Sequence, residues 1–162
     1  LRSLEGKIQI YLPDLKYRTP ALAERYSGAA DYPETAAAAI REMERQTGPM
    51  VLEDGLLKRG TLIRHLILPG GLQEAKAVMD WVAASFPAGT AGFSLMSQYT
   101  PWGRSAEFPE IHRRLRAGEM RAAAEYMANL GLEGFTQERT SAQREYTPPF
   151  DLTGVAGEGG AL

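Results

Sequence analysis

Residues 61–68 read TLIRHLIL, and this stretch decides the fold class of the chain. Its hydrophobic residues fall on both faces of an extended segment, which is typical of a strand covered on both sides. The run stops at Pro69-Gly70-Gly71, and hydrophobic residues then recur with helical spacing over residues 73–86. A hydrophobic strand followed by an amphipathic helix predicts a parallel β/α unit.

The rest of the chain repeats this alternation of strands and helices. Further strands are predicted over residues 8–12, 91–97 and 134–138, and a hairpin with Asp54-Gly55 at its turn over residues 50–57. Helices are predicted over residues 19–26, 33–47, 109–115 and 119–130, with Thr19 as the N-cap of the first. This α/β order fits either an open doubly wound sheet or part of a β/α barrel.

Composition narrows the class of protein. The 162 residues are 44% hydrophobic and 23% charged, which is typical of one globular domain, and residues 1–146 form that predicted domain. Residues 147–162, rich in proline and glycine, predict an extended arm and a disordered tail. A net charge of −2 gives no support for nucleic acid binding, and no apolar run has the length of a membrane helix. The start, LRSLEGK, is not a signal peptide, so we expect a cytoplasmic protein.

Polar side chains lie in or just after the predicted strands. In parallel α/β folds, active sites collect at the carboxyl ends of the strands. Near those ends we find Asp14, Lys16, Arg64, His65, Gln98, Tyr99 and the segment Gln137-Glu138-Arg139. Such a rim suits a polar ligand that carries both a carboxylate and an amine. Lys16 and Arg64 could hold the carboxylate, while Asp14 and Gln98 could bind an ammonium group or a small monovalent cation.

The same residues also have structural explanations. Asp14 and Lys16 fit a solvated turn, and Arg64 could form an ion pair with Asp14 or Glu138. His65 alternates with Arg64 along the strand, so we expect it to pack against a helix. Tyr99 and Trp102 fit loop anchors, the HRRLR run from His112 fits a solvated helix face, and Glu53-Asp54 fits a turn. Gly70-Gly71 could offer backbone N–H groups to an anion, as in an unrelated phosphate-binding domain.

Four segments together carry a family likeness. They are IYLPDLKY at residues 10–17, RHLILPGG at 64–71, LMSQYTPW at 95–102 and EYTPPFDLTGV at 145–155. In this order and spacing they resemble the C-terminal part of radical S-adenosylmethionine proteins, in the group of relatives of pyruvate formate-lyase activating enzyme. The resemblance covers nearly the whole chain up to Val155.

The resemblance implies a fold, cofactors and site residues. The fold would be the C-terminal half of a partial TIM-type β/α barrel. A CxxxCxxC loop would hold a [4Fe–4S] cluster that cleaves S-adenosylmethionine to a 5′-deoxyadenosyl radical, with an electron donor and a glycyl-radical-type protein substrate as partners. Asp14 and Lys16 resemble the family's Asp-x-Lys beside the cofactor, and Arg64 resembles a cofactor-side arginine. Gln98 and Tyr99 stand where the activating enzymes have a Tyr-His pair.

One departure from the family pattern is absolute. The chain has no cysteine, so it cannot hold the cluster by thiolates and forms no disulfide. We therefore expect the C-terminal portion of a longer radical enzyme, inactive alone, which would form a homo-oligomer to cover the exposed sheet edges of a half barrel. The alternative is a cluster-free domain that keeps the fold and binds S-adenosylmethionine or a partner protein.

Overall fold

The computed structural model describes residues 1–132 and 134–137. The strands are β1 (Ile10–Tyr11), β2 (Val51–Glu53), β3 (Leu56–Leu66), β4 (Ala91–Met96) and β5 (Gly134–Gln137). The α-helices are α1 (Pro20–Ser27), α2 (Tyr32–Thr47), α3 (Leu72–Ser85) and α4 (Ala117–Asn129), and two short 3₁₀ helices span Arg2–Leu4 and Gly103–Glu107. The predicted arm and tail at residues 147–162, the boundary at residue 146 and residue 138 of the predicted last strand lie outside the described residues.

The sheet has the parallel core that the alternation of strands and helices predicts. Its order is β1-β3-β4-β5, and each neighbouring pair is parallel. The hairpin strand β2 pairs antiparallel with the first residues of β3. Asp54 and Gly55 both have positive φ, at 51° and 77°, which is the backbone of a type I′ turn. The α/β class and the Asp54-Gly55 hairpin are therefore confirmed.

The two faces of β3 differ, so the prediction of a strand covered on both sides is wrong for the described residues. Ile63, His65 and Ile67 are 0–2% exposed on one face, which we call the helix-covered face. Leu62, Arg64 and Leu66 lie on the other face, the open face, and are only half-buried. The core on the helix-covered face joins β3 and β4 to the three longer helices through Ile40, Val78, Met79, Phe93, Leu95, Ala123 and Met127. No helix in residues 1–132 and 134–137 is long and apolar enough to cross a membrane.

One predicted helix is absent. Residues 109–115 form turns after the second 3₁₀ helix. Their backbone hydrogen bonds join residues three or four positions apart, but these bonds do not extend into the regular series of a helix. Ser105 Oγ lies 3.2 Å from His112 Nδ1, and the Arg113 guanidinium is drawn to the carboxylate of Glu119. Side-chain contacts therefore hold Ile111 and Leu115 in the core without a helical backbone.

Candidate functional site

Asp14 and Arg64 meet on the open face at the carboxyl end of β1. Two backbone hydrogen bonds hold their segments side by side: Arg64 N–H donates to Pro13 O and Leu15 N–H donates to Arg64 O, both at 2.8 Å. Arg64 Nη2 lies 2.9 Å from Asp14 Oδ1, and both side chains are less than half exposed. Arg64 Nε is buried and has no hydrogen-bond partner within the described residues. The predicted pairing of these two residues is thus present, and the guanidinium retains an unused donor.

Tyr32 fixes the segment that carries Asp14 and Lys16. Its hydroxyl donates to Asp14 O at 2.8 Å and accepts a hydrogen bond from Lys16 N–H at 3.0 Å. Burial raises the pKa of Tyr32, so the phenol stays neutral and keeps its proton for the carbonyl. The segment is therefore a pinned loop from which the Lys16 side chain extends into solvent, and not a freely solvated turn.

A cavity of about 160 Å³ lies at the carboxyl end of β3, under α1 and the turn at Glu110. Lys16 and His65 both line it, together with Tyr17, Tyr26 and Glu74. Arg64 lies on the opposite face of β3 from His65, because successive side chains alternate along a strand. The two cations predicted to share a carboxylate therefore have different surroundings, Lys16 at this cavity and Arg64 on the open face.

His65 is a neutral, oriented imidazole. It is 2% exposed, stacks against Phe93 with ring centroids 6.5 Å apart, and its Nδ1 lies 2.8 Å from Leu15 O. Because a carbonyl only accepts hydrogen bonds, Nδ1 carries the proton and Nε2 is the acceptor of the ring. Burial lowers the pKa of His65. The predicted packing on the helix side is confirmed, whereas its place in a cavity was not foreseen from the sequence.

Gly70, proposed from the sequence as an anion donor, is already bound to a carboxylate of the chain. Gly70 N–H donates to Glu119 Oε1 at 2.7 Å, and Arg116 N–H donates to Glu119 Oε2 at 2.8 Å. Arg113 adds a two-pronged contact at 2.7 and 2.9 Å. This hydrogen bonding, led by Arg113, lowers the pKa of Glu119 to about 2.

The role of Glu119 was not predicted from the sequence, although a signal for it was present. A Glu at the third position of a helix commonly caps the helix N-terminus by accepting a hydrogen bond from the N-cap backbone N–H. It does reach back to the N-cap backbone of α4, as that pattern requires. The interpretation of the HRRLR run as a solvated helix face is wrong, because Arg113 is paired with Glu119, Leu115 is buried and the segment is not helical.

Gln98 and Tyr99 follow β4 and are half-buried. Burial raises the pKa of Tyr99, and a hydrogen bond with Ser105 opposes that effect. Ser105 in turn contacts His112, so Tyr99 belongs to a set of polar contacts that shapes the loop after β4. A cofactor role for Gln98 and Tyr99 stays a prediction.

The described residues contain no group of three His, Cys, Asp or Glu side chains that could hold a metal ion. A monovalent cation at Asp14, predicted from the sequence, would have to share the carboxylate with Arg64.

Comparison with known proteins gives the fold. The chain matches the crystal structure of a domain of pyruvate-formate lyase-activating enzyme from Bacteroides vulgatus with a TM-score of 0.59 and 13% identity, over 85% of this chain and 72% of that domain. The two share a fold. An uncharacterized protein of Methanocaldococcus jannaschii is 25% identical over 131 residues, which are 80% of this chain. The chain spans about a third of the length of that relative, at 34%. No family model matches.

Proposed function

We propose that this chain is the S-adenosylmethionine-binding C-terminal portion of a radical S-adenosylmethionine enzyme similar to pyruvate formate-lyase activating enzyme. The observation that carries the proposal is the contact between Asp14 and Arg64, 2.9 Å apart, at the carboxyl edge of a parallel sheet. That sheet belongs to a fold similar to a domain of such an enzyme, which supports a partial barrel around the open face.

The residues at this edge fit the methionine end of S-adenosylmethionine. That end carries a carboxylate and an ammonium group, and the sulfonium adds a positive charge. Arg64 has a buried Nε without a hydrogen-bond partner in the described residues, which is a donor for the carboxylate. Asp14 Oδ1 is buried and makes a contact with Arg64 but no well-aligned hydrogen bond, so it is an acceptor for the ammonium group.

The same residues do not fit a [4Fe–4S] cluster. The sequence has no cysteine to supply thiolates, and the described part of the chain has no cluster of other metal ligands. The reductive cleavage step would therefore belong to the complete parent enzyme. In the proposed parent enzyme, a CxxxCxxC segment encoded upstream would ligate the cluster, and the electron donor and glycyl-radical protein substrate would act on the complete protein.

The proposed work of this chain is binding and orientation. Tyr32 holds the backbone of Asp14 and Lys16 in place, so the carboxylate of Asp14 is positioned before the ligand arrives. A contribution of Lys16 to the same carboxylate stays a prediction, because its exposed side chain lines the cavity on the other face of β3. Gln98 and Tyr99 would line the neighbouring strand end, and Arg64 would set the orientation because a planar guanidinium binds a carboxylate through two hydrogen bonds.

Calorimetric titration of the purified chain with S-adenosylmethionine tests this proposal. Truncating a charge-assisted contact typically costs about 1.5–3 kcal/mol, so Arg64→Leu should weaken binding by about one to two orders of magnitude. Arg59→Leu is the matched control, because Arg59 lies on the same strand and is exposed near the opposite end. Equal affinity of wild type, Arg64→Leu and Arg59→Leu, or no heat of binding at all, would refute the proposed site.

A further inference from the structure

The cavity at the carboxyl end of β3 has features of a second, separate binding site. Its volume is about 160 Å³, and a cavity of about 150 Å³ is large enough to hold a benzene-sized molecule. Most of its wall is apolar, and Leu22 of α1, Leu68 and Ile111 contribute to it. An aliphatic group of a few carbon atoms therefore fits the inner part of the cavity.

Several polar side chains interrupt this apolar wall, and three of them, His65, Glu74 and Lys16, carry the argument for a polar ligand. His65, at 2% exposure, offers Nε2 as an acceptor because Nδ1–H is used by Leu15 O. Glu74 accepts hydrogen bonds from the N–H groups of Arg18 and Thr19 and from the Thr19 hydroxyl, all uncharged donors. Lys16 also lines the cavity; its side chain is exposed, and its ammonium group forms no ion pair within the described residues. The cavity is thus lined by one cation and by two acceptors, of which Glu74 is anionic.

This charge pattern discriminates between ligands. A simple carboxylic acid would satisfy Lys16 but would bring a second negative charge beside Glu74 and leave His65 Nε2 without a donor. A simple amine would satisfy those acceptors but meet repulsion from Lys16. Glu110 also lines the cavity, but it is already paired with Arg25 at 2.7 Å. The charged groups that remain for a ligand are therefore the cation of Lys16 and the anion of Glu74. A zwitterion satisfies both signs.

From these observations we infer that the cavity binds a small aliphatic α-amino acid. The aliphatic side chain lies among Leu22, Leu68 and Ile111, the carboxylate contacts Lys16, and the ammonium group donates to His65 Nε2 and Glu74. This inference is independent of S-adenosylmethionine binding at Arg64, which lies on the other face of β3 from His65.

The test is a titration of the isotope-labelled chain with L-leucine, followed by amide and imidazole NMR shifts. We expect saturable shifts at His65, Gly70 and Gly71 at ligand concentrations up to about 10 mM. 4-Methylpentanoate lacks the ammonium group and 3-methylbutylamine lacks the carboxylate, so each should bind at least about tenfold more weakly. Absence of shifts with folded protein, or an analogue that binds as well as L-leucine, would overturn the inference.

Two pairs of variants separate the cavity from the rest of the surface. Leu22→Trp should fill the cavity and abolish the shifts, whereas Ala21→Trp, at the exposed neighbouring position of α1, should not. Lys16→Met should weaken L-leucine binding at least about tenfold, and Lys58→Met, exposed on β3, should leave it unchanged. Unaltered binding by Lys16→Met would refute the assigned contact even if Leu22→Trp did not fold. Arg64→Leu should weaken S-adenosylmethionine binding and retain L-leucine binding. An Arg64→Leu variant that binds S-adenosylmethionine as tightly as wild type would count against the proposed function and not against this cavity.

Discussion

Glu119→Gln should destabilise the protein in a pH-dependent way. The Glu119 carboxylate accepts hydrogen bonds from Arg113, from Gly70 N–H and from Arg116 N–H, so it joins the start of α4 to the loop after β3. A glutamine amide has nearly the same shape but no charge, and only one of its two polar atoms is an acceptor. The variant therefore removes the ion pair with Arg113 and leaves one of the backbone or guanidinium donors facing an NH₂ group.

The size of the effect follows from the pKa of Glu119, which Arg113 and the two N–H groups lower from 4.5 to about 2. At about 1.36 kcal/mol per pKa unit, this difference corresponds to about 3 kcal/mol of preference for the charged form in the folded state. The side chain is 20% exposed and Arg113 is 31% exposed, so water screens part of that interaction. We expect a loss of about 1–2 kcal/mol in the free energy of unfolding at pH 7.

The sign of the pH dependence is fixed by the direction of the shift. The folded state binds the proton of Glu119 less tightly than the unfolded state, so the stabilisation is complete above about pH 5 and is lost as the pH falls toward 2. The loss of stability in Glu119→Gln is measured by urea unfolding, followed by circular dichroism, at pH 7, 5 and 3. Glu125→Gln on the same helix is the control, because Glu125 is 68% exposed and lies 4.0 Å from Arg121. The reasoning is refuted if Glu119→Gln costs no more than Glu125→Gln at pH 7, or if its cost is as large at pH 3 as at pH 7.

Two further predictions concern the neighbouring side chains. Tyr32→Phe removes the donor to Asp14 O and the acceptor for Lys16 N–H, so the free energy of unfolding in urea should fall by about 1–2 kcal/mol. Tyr126→Phe is the control, because the Tyr126 hydroxyl bonds to the exposed Asp80. If Tyr32→Phe costs no more than this control, Tyr32 does not hold the loop at Asp14 and Lys16 in place. Burial lowers the pKa of His65 below 6.5, so the ring should be neutral at pH 7 with its proton on Nδ1. Stability should fall as the pH decreases from 6.5 toward the lowered pKa, because the unfolded state binds the proton more tightly. Imidazole nitrogen shifts that titrate at an ordinary pKa would exclude this state.

Local patterns predicted most of the elements. The TLIRHLIL run, the Asp54-Gly55 turn and the Gly131 stop after α4 each depend on residues close in sequence, and the structure has a strand, a positive-φ turn and a helix end at these places. The contact of Asp14 with Arg64 was anticipated as one of two ion pairs, because two polar residues near the ends of strands in one parallel sheet lie at the same edge.

The errors arose where distant residues decide the structure. Residues 109–115 have an acceptable helix propensity, which is why a helix was predicted there. In the structure their backbone makes turns, and Arg113 binds Glu119 while His112 contacts Ser105. The open face of β3 carries as many hydrophobic residues as the helix-covered face, so the sequence of the strand alone does not reveal that described helices pack on one side. The hydrogen bond from Gly70 N–H to Glu119 joins residues 49 positions apart, so no local sequence pattern could predict it.

The central claim, that S-adenosylmethionine binds at the carboxyl ends of β1 and β3, is tested most directly by mapping amide NMR shifts of the wild-type chain during titration with S-adenosylmethionine. We expect the largest shifts at Asp14, Leu15, Lys16 and Arg64, with saturation at or below the millimolar range. Shifts confined to the β2–β3 hairpin, or a folded chain that shows none at several millimolar ligand, would contradict it.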